Sequence, residues 1–177
     1  MVNSESFIPL EQLTPWQDPQ VELLPPGLVP WLLESGSLTR RLREQLADFS
    51  LTLLGYRSLA LDGEASQLLG EGSGQCREVI LHGGGAPCVY GWTLLPARAM
   101  ATAQLSGQGE TPLGELIFAH PQAQRSRLQL ARFRVAANPW SPAAELWGRR
   151  SLLFLQGVPL LVHELFLPGL FDAKERA

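Results

Sequence analysis

Two apolar runs separated by a Gln-Gly pair dominate the C-terminal part of this chain. In RSLLFLQGVPLLVHELFLP, which spans residues 150–168, Gln156 and Gly157 have the composition of a tight turn between two strands. The spacing predicts a β-hairpin. The second strand nevertheless carries a carboxylate, Glu164, and burying a carboxylate is costly unless it is paired or hydrogen-bonded. Glu164 therefore has either a structural partner or a functional role.

Strand alternation predicts which side chains accompany this carboxylate. Successive side chains of a strand point to opposite faces of the sheet, so Glu164 shares its face with Val162 and Phe166, and His163 points the other way. In CREVILH, the same rule puts Arg77 on one face with Val79 and other apolar residues. Two charged side chains are thus expected to point into apolar space from separate strands.

Two interpretations of Arg77 and Glu164 stay open at this point. In one, the two side chains touch and form a buried structural ion pair, as perturbed charges in proteins often do. In the other, they line an enclosed pocket. Arg77 would then bind a ligand carboxylate through its planar fork of donors, and Glu164 would meet a hydroxyl group at the other end.

The remaining chain predicts an α+β fold. Ser37 is a candidate N-cap for a helix that runs to about Ala47, after a shorter helix over residues 30–34, and a further helix is expected to begin at Thr111. Six segments have strand composition, and short turns link most of them. They begin near Phe49, Cys76, Pro87, Arg125, Arg149 and Val158. This order favours a six-stranded antiparallel sheet with two helical hairpin insertions.

The ends of the chain and one internal segment are expected to be irregular. Residues 1–29 contain five prolines and predict an irregular N-terminal arm, and residues 169–177 predict a solvated tail on a single domain that spans residues 1–177. Glu145-Leu-Trp-Gly is expected to form a short turn. Arg149 and Arg150, which follow it, are expected to anchor a turn or to pair with acids such as Glu145, and the alternative is that one of them contributes to the positive potential of a pocket.

Composition and motifs argue against several classes of protein. The net charge is −3 and no basic run is present, so nucleic acid is not an expected partner. The N-terminus has no signal-peptide pattern, and no stretch of about 18 apolar residues is available to span a membrane. Cys76 and Cys88 lack the spacing of a disulfide framework, and the three histidines lack metal-ligand spacing. A cytoplasmic protein without a metal is expected.

Five motifs in this sequence resemble the chorismate pyruvate-lyase family. They are WLLESGSLTRRL, CREVIL, YGWTLLP, TPLGELIF and LWGRRSLLFLQGVPLLVHELFLP, and they occur in order from about Trp31 to Pro168. The resemblance implies a six-stranded antiparallel sheet in which helix–turn–helix flaps cover an enclosed ligand pocket. It also implies an enzyme that eliminates pyruvate from chorismate to give 4-hydroxybenzoate for ubiquinone biosynthesis. No metal or organic cofactor is implied, a monomer is expected, and the product is expected to be held tightly until a flap opens.

The resemblance also implies roles for individual residues. Arg77 would hold the ring carboxylate, Glu164 would hydrogen-bond the hydroxyl across the ring, and Leu38 and Leu113 would cover the two ring faces from the flaps. Arg77 and Glu164 are therefore the candidate catalytic residues. Leu38 stands where the family usually has Met. Trp92 stands where the family commonly has an arginine that helps charged ligands enter or leave, and it is a possible gate.

Two points stay open after the resemblance. Elimination of pyruvate could be a concerted shift of a ring hydrogen to the enolpyruvyl methylene, or a stepwise proton transfer assisted by Glu164. The alternative function is a non-catalytic domain that binds an aromatic acid such as 4-hydroxybenzoate, because related sheets serve as effector-binding domains of transcription regulators.

Overall fold

The computed structural model describes residues 6–101, 119 and 124–175 of the 177. Within these ranges seven strands form one sheet, in the order β1-β5-β6-β7-β4-β3-β2, and every neighbouring pair is antiparallel. The strands are β1 Leu10–Gln12, β2 Ser50–Ala60, β3 Ser73–Gly83, β4 Ala86–Pro96, β5 Gln129–Val135, β6 Ala144–Leu155 and β7 Val158–Phe166. The α+β class and the antiparallel sheet are confirmed.

The prediction of six strands is wrong, because the N-terminal arm contributes a seventh. Leu10 pairs with Val135 of β5 and is buried, and Ile8 just before it is also buried. The arm continues with a short 3-10 helix over Val21–Leu23. The strand β1 forms because the arm pairs with β5, and the local sequence of the arm has no strong strand propensity. Propensity alone therefore does not predict β1.

The β6–β7 hairpin turns where the sequence predicts. Gln156 and Gly157 have φ angles of 50° and 79°, the left-handed values that a two-residue hairpin turn with matching twist requires. The predicted turn over Glu145-Leu-Trp-Gly is wrong, since these residues lie inside β6 and pair with β5. The strand is therefore longer than its apolar run, because β5 satisfies its backbone groups on the other side.

The described residues form four α-helices in addition to the sheet. They are α1 Val29–Leu32, α2 Leu38–Gln45, α3 Gly63–Leu69 and α4 Gly169–Glu175. Ser37 caps α2 as predicted, and its hydroxyl accepts a hydrogen bond from the Arg40 amide. The expected solvated tail is instead α4, whose Leu170 and Ala173 are fully buried. The helix expected to begin at Thr111 lies outside the described residues.

The two faces of the sheet bury different clusters. On one face, α1 and α2 pack over β3, β4 and β7 through a mostly aliphatic cluster that includes Leu42 and Val79 together with Trp31. On the opposite face lies an aromatic cluster that includes Tyr90, Trp92 and Phe133, together with Ile8 of the N-terminal arm. The candidate site lies on the first face, beneath the α1–α2 hairpin.

Candidate functional site

A cavity lies on the sheet face that α2 covers. Its walls combine apolar side chains with a few charged ones, the usual character of a small-molecule site. Residues that line it include Leu38, Arg77, Val79, Gly91, Thr93 and Glu164. Three of the four residues expected to contact a ligand therefore share one cavity. The fourth, Leu113, lies outside the described residues.

The sheet order separates the two charged residues by one intervening strand. Arg77 is on β3 and Glu164 is on β7, with β4 between them. Neighbouring strands are about 4.8 Å apart, so the backbones of β3 and β7 are separated by roughly 10 Å. The β4 residues directly opposite are small: Thr93 pairs with Arg77, and Gly91 pairs with Glu164.

Gly91 helps to keep the cavity open. Its φ is not left-handed, so the backbone does not require glycine here. A Cβ added at this position would instead lie 3.1 Å from a methyl group of Val79, tighter than an ordinary carbon contact. The absence of a side chain leaves space between the strand that carries Arg77 and the strand that carries Glu164.

Arg77 places a cation in a largely apolar part of the cavity wall. Its residue exposure is only 3%, and burial lowers the pKa of its guanidinium while interaction with Tyr56 opposes that effect. An arginine stays protonated at neutral pH even so. A buried guanidinium of this kind can bind a carboxylate strongly, because little water competes for its donors.

Glu164 has a partner that the sequence analysis missed. Arg149 stands directly opposite it across β6 and β7, and the Arg149 Nε donates a 2.5 Å hydrogen bond to Glu164 Oε2. Burial by itself would raise the pKa of Glu164. The charges of Arg149 and Arg125 outweigh burial and hold the pKa of this carboxyl below its usual range. Glu164 is therefore ionised at neutral pH and can only accept hydrogen bonds.

Among the described residues, the ion-pair partner of Glu164 is Arg149 and not Arg77. Arg149 pairs with an acid as expected, but the acid is not Glu145, which binds Arg132 and Arg134 at the surface. A signal for the true pair was present in the sequence. Counting outward from a two-residue turn at Gln156-Gly157 puts Arg149 directly opposite Glu164.

Arg125 is a second charged residue that the sequence analysis did not assign to the site. It lines the cavity just before β5, and burial lowers the pKa of its guanidinium to about 10. Its Nη2 and Nε donate to the carbonyl oxygens of Gly36 and Ser35, and its Nη1 donates to the Ser151 hydroxyl. Arg125 forms an isolated bridge with Leu153 four residues before β5 begins, so the alternation along β5 does not show where its side chain points.

Trp92, the candidate gate, packs on the face of the sheet opposite to Gly91 and Thr93. Its ring stacks on the rings of Tyr90 and His163 and meets Phe133 edge-on. It belongs to the aromatic cluster and is not among the residues that line the cavity. His163 points away from Glu164, as strand alternation predicts.

In residues 6–101, 119 and 124–175, no group of three or more His, Cys, Asp or Glu side chains is arranged to hold a metal ion. No helix within the same ranges is long and apolar enough to cross a membrane.

Comparison with solved structures shows which fold this is. The effector domain of PhnF from Mycobacterium smegmatis superimposes with a TM-score of 0.56, at 16% sequence identity, over 75% of this chain and 89% of that one. The full PhnF structure gives a TM-score of 0.58 over 80% of this chain and 66% of that one. At this level of identity the similarity concerns the fold alone.

Comparison with protein families and curated sequences is more specific. The family model described as chorismate lyase matches residues 10–176. A probable chorismate pyruvate-lyase of Aeromonas hydrophila is 52% identical over 98% of this chain and 99% of its own length. A protein of the same description from Aeromonas salmonicida is 53% identical over the same shares. With a match across nearly all of its length and relatives that share more than half of its residues, the chain belongs to the chorismate lyase family of enzymes.

Proposed function

We propose that this protein is a chorismate pyruvate-lyase that converts chorismate to 4-hydroxybenzoate and pyruvate, an early step of ubiquinone biosynthesis. The observation that carries the proposal is the cavity shared by Arg77 and Glu164, in which an ionised carboxylate and a buried guanidinium lie on either side of the small β4 residues Gly91 and Thr93. Membership of the chorismate lyase family supports it.

Four side chains receive roles in binding. Arg77 binds the ring carboxylate through two parallel hydrogen bonds. Glu164 accepts a hydrogen bond from the hydroxyl group across the ring, a role that suits its lowered pKa. Leu38, at the first position of α2, packs against a face of the ring. We assign the other ring face to Leu113, as the family resemblance implies.

The reaction needs no external reagent. The bond from the ring to the ether oxygen breaks, and the hydrogen on the hydroxyl-bearing ring carbon leaves. The ring becomes aromatic, and the enolpyruvyl group gains that hydrogen on its methylene carbon and departs as pyruvate. Because aromatisation drives the reaction, the protein chiefly has to position the substrate.

The environment of Glu164 favours one of the two routes. A carboxylate whose pKa lies below its usual range is a weak base at neutral pH. We therefore assign Glu164 a hydrogen bond to the substrate hydroxyl, with direct transfer of the ring hydrogen to the enolpyruvyl methylene. We also place the enzyme in the cytoplasm, because its two buried cysteines are free thiols.

Turnover of chorismate is the direct test. The purified protein, treated with a chelator, is mixed with chorismate, while 4-hydroxybenzoate is followed by absorbance and pyruvate by a coupled assay. Equal release of the two products is expected. Arg77→Ala should abolish it, and Arg132→Ala, at an exposed surface ion pair, should not. Tight binding of 4-hydroxybenzoate without turnover would instead support the binding-domain alternative. If the protein neither turned over chorismate nor bound 4-hydroxybenzoate, both functions would be contradicted.

A further inference from the structure

Arg149 joins the candidate site to the backbone of the α1–α2 hairpin. Its side chain is completely buried, and its Nε donates to Glu164. Its Nη1 lies 2.7 Å from the carbonyl oxygen of Glu34 and 3.1 Å from that of Trp31. One guanidinium thus bridges a carboxylate on β7 and the end of α1. A planar group with several donors in fixed directions suits this bridge, and a lysine could not reproduce it.

The hairpin has a second, separate attachment. Arg125 holds the carbonyl oxygens of Ser35 and Gly36, the residues that connect the two helices. Ser37 then caps α2, and Leu38 begins it. Because Arg125 and Ser37 attach the turn without Arg149, loss of the Arg149 guanidinium should leave the hairpin folded in place.

The contacts of Glu164 show what Arg149 does for the carboxylate. Oε2 accepts from Arg149. Within the described residues no hydrogen bond reaches Oε1, and the side chain is 12% exposed. The carboxylate is therefore held by one oxygen and has acceptor capacity on the other. A group fixed in this way meets a ligand without first losing rotational freedom.

We propose that Arg149 is a positioning residue for the reaction: it fixes Glu164 through Oε2, leaves Oε1 for the substrate hydroxyl, and ties the carboxylate to the hairpin that carries Leu38. This inference rests on the proposed function for its catalytic consequence. The geometry of the pair can be tested without turnover.

Several charges act on Glu164, and Arg149 is the nearest. Arg125 faces it from the segment before β5, and Arg77 lines the same cavity from β3. His163 is its neighbour on β7, on the other face. Glu34 is the acidic residue of the hairpin close to both Arg149 and Arg125. An opposite charge in direct contact typically lowers a carboxyl pKa by roughly one to three pH units. Replacing Arg149 by a neutral residue should therefore have a measurable effect despite the other charges.

The first experiment titrates Glu164 by carbon-13 NMR of the side-chain carboxyl, with Glu164→Gln to assign the signal. In Arg149→Gln, the midpoint should rise by roughly one to three pH units. Arg150→Gln is the matched control: it removes the adjacent arginine, which pairs with Glu64 and Gln129 on the other face, and should leave the midpoint unchanged. Equal titration midpoints of Glu164 in Arg149→Gln and Arg150→Gln would overturn the proposal.

The second experiment uses Arg149→Lys, which keeps the charge and gives a variant to study if Arg149→Gln does not fold. The Glu164 midpoint should stay low, but kcat should fall at least about tenfold, because lysine cannot hold the carboxylate and the carbonyl groups together. Wild-type kcat in this variant would overturn the positioning role. If wild-type protein does not turn over chorismate, the proposed function fails, but the titration still tests the bridge.

Discussion

Trp92 and His163 stack face to face, with ring centroids 4.8 Å apart and planes only 5° from parallel. Tyr90 stacks on Trp92 with a centroid distance of 5.2 Å, and the His163 Nδ1 lies 3.1 Å from the Trp92 carbonyl oxygen. Adjacent strands therefore supply a column of rings on the face of the sheet that is opposite to the cavity. A residue expected to be a gate is part of the packing.

Trp92→Ala should accordingly reduce stability more than ligand binding. Loss of a packed indole typically costs about 3 kcal/mol in the free energy of unfolding. The Kd for 4-hydroxybenzoate should change by less than about threefold, since the ring lies across the sheet from the cavity. Urea denaturation and calorimetric titration measure the two effects. Unchanged stability together with a changed rate of ligand exchange would favour the gate after all.

His163 should make the protein sensitive to mild acid. Burial lowers its pKa to about 3, against 6.5 for an unperturbed histidine, so between these values the unfolded chain binds a proton that the folded chain does not. The free energy of unfolding therefore has its full value above about pH 6.5, where His163 is neutral in both states. It decreases by up to a few kcal/mol as the pH falls towards 3.

His163→Phe, which keeps a ring in the stack, should flatten the dependence of stability on pH between about 6.5 and 4.5. His82 is the control, because burial also lowers its pKa but the side chain is only half-buried. His82→Gln should remove a smaller part of the slope. Chemical denaturation at a series of pH values measures it, and an identical slope in His163→Phe and wild type would contradict the prediction.

Arg77→Ala should weaken binding of 4-hydroxybenzoate at least about 100-fold, because a bidentate, charge-assisted contact in a buried site is lost. Its far-ultraviolet circular dichroism should match that of wild type. Titration calorimetry gives the affinity, with the surface variant Arg132→Ala as control. A variant that unfolds, rather than one that folds and fails to bind, would favour a structural role for Arg77.

Glu164→Gln should lower kcat more than it weakens product binding. The amide keeps the shape of the side chain but loses the charge that a hydroxyl donor would meet in the transition state. It also leaves the buried Arg149 without its counter-ion, so stability should fall by a few kcal/mol. Steady-state kinetics, product affinity and urea denaturation separate these effects. Equal losses in kcat and binding would limit Glu164 to holding the ligand.

Gly91→Val should fill part of the cavity with a side chain from β4, the strand between β3 and β7. Its Cβ would already press on Val79, and the two methyl groups would occupy the space between the strands of Arg77 and Glu164. Binding of 4-hydroxybenzoate should fall at least about tenfold, while the strand keeps its pairing, since valine favours β-structure. Gly72→Ala, where an added Cβ meets nothing within 4 Å, is the control and should bind normally.

The features that the sequence predicts correctly are local ones. Alternation along β7 assigns Glu164 and His163 to opposite faces, and a hydroxyl residue before a leucine-rich stripe marks the start of α2. The turn at Gln156-Gly157 is predicted because few residues accept its φ angles. Each of these depends on one residue and its immediate neighbours.

The features that the sequence does not predict depend on distant partners. β1 is only three residues long and exists because β5 offers it an edge. α4 is a helix rather than a tail, and its Leu170 is buried. Arg149 is flanked on its own strand by Gly148 and Arg150, and its carboxylate partner lies on the next strand. In each case the stabilising free energy comes from contacts between segments that are distant in the sequence. Local propensity and periodicity do not contain information about such contacts.

The placement of His163 and Glu164 on opposite faces has a consequence for how this protein can evolve. Substitutions at cavity positions such as Val79, Thr93 and Val162 can reshape the ligand's surroundings and leave the aromatic column intact. An insertion or deletion of one residue within β7 has no such freedom. It would turn every side chain beyond it to the other face, so the imidazole would replace the carboxylate in the cavity and the carboxylate would enter the stack of rings. Lineages of this enzyme should therefore tolerate exchange of residues in β7 but keep its length.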